Sequence, residues 1–213
     1  MKNKCPDCSY SGEYLGRHIC KSENCSYPSI SRKEKEVIAG LLLGDGYISD
    51  DPTPCLRCTT KYKNFASHLS EVFDNKVSST SKKQYPEGKY YEFRTIALPD
   101  LFEFREWYSS GVKVFPKNLD LTPTTLKYWY VSDGWYCDTG TSNYIGIRCD
   151  KESGNEKKII SYFKEKDLPV PTLDTNDRLQ LRWTVSESKI LWDYMGSPPP
   201  AFEYKWSDEI RNS

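Results

Sequence analysis

The sequence has no apolar run long enough to cross a bilayer: its longest, Val37 to Gly44, falls far short of the roughly 20 residues a spanning helix needs. The N-terminus "MKNKCPDCSYSG" also lacks the hydrophobic core of a signal peptide, so an intracellular, cytoplasmic protein without a membrane partner is expected. Net charge is missing too, because 30 Lys and Arg cancel 30 Asp and Glu; any surface suited to a polyanion must come from segregated charge. In a reducing compartment the eight cysteines do not read as a disulfide framework, which leaves metal sites or small core residues. What is present in quantity is aromatic side chains, 14% of 213 residues, ample for a packed core.

Four of the metal-capable residues sit together in "CPDCSYSGEYLGRHICKSENC". Cys5 and Cys8 form a C-x2-C knuckle, and His18 and Cys25 follow at finger-like spacing; Cys25 is preferred to Cys20 because only one residue separates His18 from Cys20. Thiolates and imidazole suit tetrahedral Zn2+, and so short a segment would draw its folding energy from the metal. A structural zinc module over residues 1–30 is expected. Cys55 and Cys58 repeat the C-x2-C spacing, but "TPCLRCTTKY" reads as a strand and they are taken as ordinary strand residues.

"VIAGLLLGDGYIS" runs an apolar segment into Asp45-Gly46 and then an aromatic strand, and "LTPTTLKYWYVSDGWYCD" does the same into Asp133-Gly134. Beyond each Asp-Gly pair the same order follows: two strands, an amphipathic helix ("KNFASHLSEVF", "NEKKIISYFKEK"), two strands, and a late helix ("LPDLFEFREWYSS", "SESKILWDYMG", the latter with Ser186 as its cap). Arg94 and Arg182 each lie 49 residues after their aspartate; Lys113 follows Asp45 by 68 and Lys205 follows Asp133 by 72. Two copies of one αββαββα unit are implied, over 31–115 and 116–213.

A carboxylate at a helix C-terminus meets the negative pole of the macrodipole, so each Asp needs a positive neighbour. Gly40 and Gly44 share one helix face and predict a close seam with a second helix, Thr124 to Ser132. Parallel pairing would bring Asp45 and Asp133 together, with Gly46 and Gly134 as C-terminal caps. Two carboxylates and two helix poles at one point call for bound cations, and oxygen ligands of this kind suit Mg2+.

On these residues the chain resembles the LAGLIDADG homing endonucleases of the single-chain, two-motif type. "IAGLLLGDG" and "LKYWYVSDG" correspond to the motifs, and "KVFPKN" to the Lys-x-x-Pro linker. The second motif departs from the small-residue consensus at Lys127, Tyr128 and Trp129. The resemblance implies an α+β fold of two pseudo-symmetric repeats, their sheets forming a saddle and packed through paired motif helices. It implies that Asp45 and Asp133 are catalytic and hold Mg2+, with the preceding Gly44 and Ser132 at the same site. Lys113 and Lys205 would be the basic residues near the scissile phosphates. The implied activity is cleavage of both strands of a long DNA target with short 3′ overhangs, by a monomer acting as a pseudo-dimer, as in intron homing. An RNA maturase or a non-catalytic DNA-binding regulator of the same fold are the rival functions.

The charge segregation sought above lies between Cys55 and Arg94, where eight Lys or Arg face four acids. Polar alternation in the strands nominates Arg57, Lys61, Lys82, Lys83, Arg94, Arg148, Gln180 and Arg182 as contacts to double-stranded DNA.

Overall fold

The computed structural model describes residues 3–4, 11–12, 28–50, 54–86, 88–109, 111–138, 143–149, 154–175 and 178–206. Near the N-terminus β1 (Asn3–Lys4) pairs antiparallel with β2 (Ser11–Gly12). The expected zinc ligands Cys5, Cys8, His18 and Cys25 lie outside the described residues. The rest is α+β, with two four-stranded antiparallel sheets. The chain divides into two compact units, residues 1–34 with 46–106, and residues 35–45 with 107–213, so that helix α1 (Arg32–Leu43) begins in the first and continues into the second.

The sheet of the first unit is built from β3 (Tyr47–Ile48), β4 (Leu56–Thr60), β5 (Val77–Tyr85) and β6 (Gly88–Thr95), in the order β3-β4-β6-β5. Helix α2 (Lys63–Phe73) buries Phe65, Ala66, Leu69 and Phe73, one face at helical spacing. That face covers the sheet: the Phe73 and Phe93 rings lie 5.4 Å apart, and the Ser70 and Thr80 hydroxyls share a 2.7 Å hydrogen bond. The late helix of this half is not α but 3-10, spanning Pro99–Trp107. The reason lies in the side chains: Leu98, Leu101 and Phe104 are buried at every third residue, the repeat of a three-residue turn.

In the second unit β7 (Tyr108–Ser109) and β8 (Val112–Lys113) form a short hairpin ahead of helix α3 (Pro123–Asp133). Its sheet comprises β9 (Gly134–Asp138), β10 (Asn143–Arg148), β11 (Thr172–Asp174) and β12 (Gln180–Thr184) in the order β9-β10-β12-β11. Each sheet thus runs first, second, fourth, third strand in chain order. Helix α4 (Glu156–Glu165) packs Phe163 against Trp183 at 5.2 Å, and helix α5 (Val185–Met195) sets Trp192 against Tyr136 at 6.0 Å. Thr184, not Ser186, caps α5, in a reciprocal box with Glu187. Among the described residues no helix is long and apolar enough to cross a membrane.

Candidate functional site

Both motif helices have well-formed starts. Ser31 Oγ accepts from the Glu34 N–H at 3.3 Å while the Glu34 carboxylate accepts from the Ser31 N–H at 2.7 Å, a capping box that the spacing Ser31-x-x-Glu34 carries in the sequence. Lys76 donates to the same carboxylate at 2.8 Å. Burial alone would push this carboxyl up, but the bonds from Lys76 and Ser31 outweigh it and hold it below the usual range. Helix α3 starts without a carboxylate: Thr122 Oγ1 accepts from the Thr125 N–H at 3.1 Å and Pro123 occupies the first turn.

The seam predicted from Gly40 and Gly44 is present. A Cβ on Gly40 would stand 2.5 Å from the Thr125 carbonyl oxygen and 2.7 Å from Tyr128 Cβ, and one on Gly44 would run into the Ser132 side chain. Real Cβ contacts are never this short, so only glycine permits the approach. Thr125 Oγ1 adds a 3.3 Å bond to the Glu36 carbonyl across the seam.

The aspartates sit at the helix ends, Asp133 as the last residue of α3 and exposed Asp45 two residues beyond α1. Gly134 caps α3 as expected, its N–H donating to the Tyr130 carbonyl, with an extended φ of −82°; Gly46 is not among the described glycines with positive φ. Glycine is also required at 134 for space, since a Cβ there would enter the Tyr130 ring and carbonyl. Ser132 lies in the seam and its hydroxyl donates back to the Tyr128 carbonyl at 3.1 Å.

The positive partners demanded by these helix ends include the two lysines marked by their spacing. Lys113 Nζ donates to the Gly44 carbonyl at 2.6 Å. Lys205 Nζ donates to the carbonyls of Val131 at 2.7 Å, Gly134 at 2.6 Å and Tyr130 at 3.4 Å. Each ammonium therefore sits on carbonyls at or just beyond the end of a motif helix, where the dipole favours a cation. Lys205 is 7% exposed. Burial holds its pKa down to about 8, against the opposing pull of both Asp133 and Asp45. Both carboxylates thus act on one ammonium.

Tyr130 was not singled out by its sequence. Its hydroxyl donates to the Lys205 carbonyl at 2.9 Å, and its ring packs edge-on against Trp206 at 5.1 Å. At the other lysine the linker is strapped to α4: Lys158 Nζ donates to the Pro116 carbonyl at 2.8 Å, and Tyr162 to that of Lys117 at 3.2 Å.

The nominated DNA contacts divide by strand register. In the first sheet Tyr47, Arg57, Arg94 and Ser79 stand opposite one another across four strands and share a face. Lys83 is opposite Tyr90 on that face, and Lys61 Nζ lies 5.7 Å from the Tyr90 ring. Lys82 pairs with Tyr91 and takes the opposite face, because adjacent strand residues alternate. In the second sheet Arg148 opposes Gln180, and Arg182 opposes Gly146, on one face. Arg182 is fixed there by a 2.6 Å ion pair to Asp174 and a 3.1 Å bond to Gln180. Trp135 shares this face; a Cβ on Gly146 would enter its indole. Among the described residues no three or more His, Cys, Asp or Glu are grouped so as to hold a metal ion.

The sequence model of the LAGLIDADG DNA endonuclease family matches residues 35–191. No curated protein matches the sequence. Among solved structures, the homing endonuclease I-WcaI bound to its DNA recognition sequence is similar, with a TM-score of 0.74 at 18% identity over 85% of this chain and 88% of that one. The meganuclease I-SmaMI bound to uncleavable DNA gives 0.52 at 11% identity, over 81% and 88%. Full-length DUF199/WhiA from Thermatoga maritima gives 0.53 at 14% identity, over 88% of this chain and 62% of that one.

Proposed function

The chain belongs to the LAGLIDADG DNA endonuclease family, and from that premise we propose that it is a site-specific homing endonuclease that cuts both strands of a long, non-palindromic DNA target in a Mg2+-dependent reaction. The observation that supports this reading is the glycine seam that packs α1 against α3 with Gly44 against Ser132, the residues just before Asp45 and Asp133, while the Lys113 and Lys205 ammoniums donate to the helix-end carbonyls beside them. Carboxylate and carbonyl oxygens are hard donors, and two carboxylates leave coordination places for water, so this donor set fits Mg2+.

Asp45 and Asp133 would hold the metal, with Gly44 and Ser132 beside them. Bound there, Mg2+ would supply Lewis acidity to phosphate oxygens and acidify a coordinated water. The remaining work belongs to the chain. The ammoniums of Lys113 and Lys205, fixed on helix-end carbonyls, would stabilise the charge that grows on the phosphate as water adds to phosphorus and the bond to the 3′ oxygen breaks. One motif would serve each strand, giving short 3′ overhangs. The polar sheet faces would read the duplex, Arg57, Lys61, Lys83 and Arg94 from one sheet and Arg148, Gln180 and Arg182 from the other.

Two pseudo-symmetric repeats, 31–115 and 116–213, acting as one monomeric pseudo-dimer, complete the proposal. The zinc module over 1–30 rests on sequence spacing alone. The test is incubation with a randomised duplex library and Mg2+, followed by sequencing of new ends. Cuts within a single long motif, abolished by EDTA, are expected. Binding without cutting would overturn the nuclease and favour a maturase or a regulator.

A further inference from the structure

We propose that Tyr130 is a positioning residue for strand cleavage: its phenol ties down the main chain of Lys205 and so fixes where the Lys205 ammonium stands at the end of α3. Three contacts converge on this pair. The Tyr130 hydroxyl donates to the Lys205 carbonyl at 2.9 Å, the Tyr130 carbonyl accepts from Lys205 Nζ at 3.4 Å, and the Tyr130 ring lies 5.9 Å from that Nζ. Tyr130 is 0% exposed and braced by Trp206, whose indole N–H donates to the Gly196 carbonyl at 3.1 Å. A buried hydroxyl must find a partner, and this one reaches 75 residues along the chain to the residue whose ammonium returns to α3. The corresponding place in the first motif, three residues before Asp45, is Leu42, which has no hydroxyl. The tether thus belongs to one motif only.

The inference rests on the proposed role of Lys205. Its test compares the wild type, Tyr130→Phe, Lys205→Ala and the double variant, using a supercoiled plasmid that carries the selected target. The expected result for Tyr130→Phe is a fall in kcat on the order of tenfold, as for small misplacements of catalytic groups, with KM for DNA unchanged. Nicked circles should accumulate, since the Lys113 end is untouched. In the Lys205→Ala background the same change should add less than about a factor of two, the coupling expected of residues that act through one group. Phe retains the ring packing; if melting nevertheless shows a loss of stability, rates are compared well below the lower midpoint. Wild-type kinetics for Tyr130→Phe, or a loss that multiplies fully with Lys205→Ala, would overturn the tether. If Lys205→Ala itself cuts like the wild type, the role of Lys205 fails; if it is slow while Tyr130→Phe is not, that role stands and only the tether fails.

Discussion

At the end of α1 the ammonium of Lys113, half-buried and carried on a linker strapped to α4, donates to the Gly44 carbonyl. At the end of α3 the ammonium of Lys205 is buried over three carbonyls, with the Tyr130 and Phe202 rings 5.9 and 5.3 Å from it. The lysines occupy similar places in the sequence repeat, yet one is held by its linker and the other by the motif helix itself. Each helix end carries a lysine ammonium, while the means of holding it differ with local packing.

The largest effects should fall on the lysines. Lys113→Ala and Lys205→Ala are each expected to slow cleavage by about a hundredfold or more, the size seen when a preorganised charge at a transition state is removed. Both should leave binding to the target nearly intact in a gel-shift titration. Strand-resolved assays should show each variant slowing a different strand; slowing of the same strand would break the comparison.

Next come the glycines of the seam. Gly40→Ala forces a Cβ against the Thr125 carbonyl, and urea melts should report a loss of about 1–3 kcal/mol, typical of overpacking. Unchanged stability would mean that the helices slide apart at no cost.

The burial of Lys205 also sharpens the contrast. Its folded pKa, about 8, is below the unfolded value, so below pH 8 it costs folding a constant amount, and the cost is relieved as pH rises from about 8 toward the unfolded value. In EDTA, the stability of the wild type relative to Lys205→Met should therefore rise across this window, by about 1–3 kcal/mol. A flat difference between pH 8 and the unfolded value would contradict the buried charge.

The smallest effect concerns the helix starts. Glu34 is held below its usual pKa, so its contribution is present above the unfolded value and is lost as pH falls through the folded one. Glu34→Gln should cost about 1 kcal/mol at neutral pH, and its difference from the wild type should vanish in acid. Thr122→Ala, which removes an uncharged cap, should show a cost that does not change with pH.

The seam was legible because Gly40 and Gly44 lie at helical spacing, and a requirement for closeness can be read from residues that lack a Cβ. The lysines were legible through the symmetry of their offsets. The Ser31-x-x-Glu34 box is written in the sequence as well. Other features were not legible. Tyr130 looks like a core aromatic, and nothing in its neighbours announces a partner 75 residues away. Gly134 was legible as the cap of α3, but not that the ring of Tyr130 leaves no space there for a Cβ. Residues 98–110 read as an α-helix, whereas Pro99–Trp107 is 3-10, and period three and period 3.6 differ little over so short a span.

The most direct test of a joint centre at the two motif helices is cleavage of the selected target by Asp45→Asn and Asp133→Asn in Mg2+, with binding measured in parallel. If the carboxylates act together, both variants bind as the wild type does and neither makes a double-strand break. Full double-strand cleavage by either variant would show that its carboxylate is dispensable and that the shared centre does not exist.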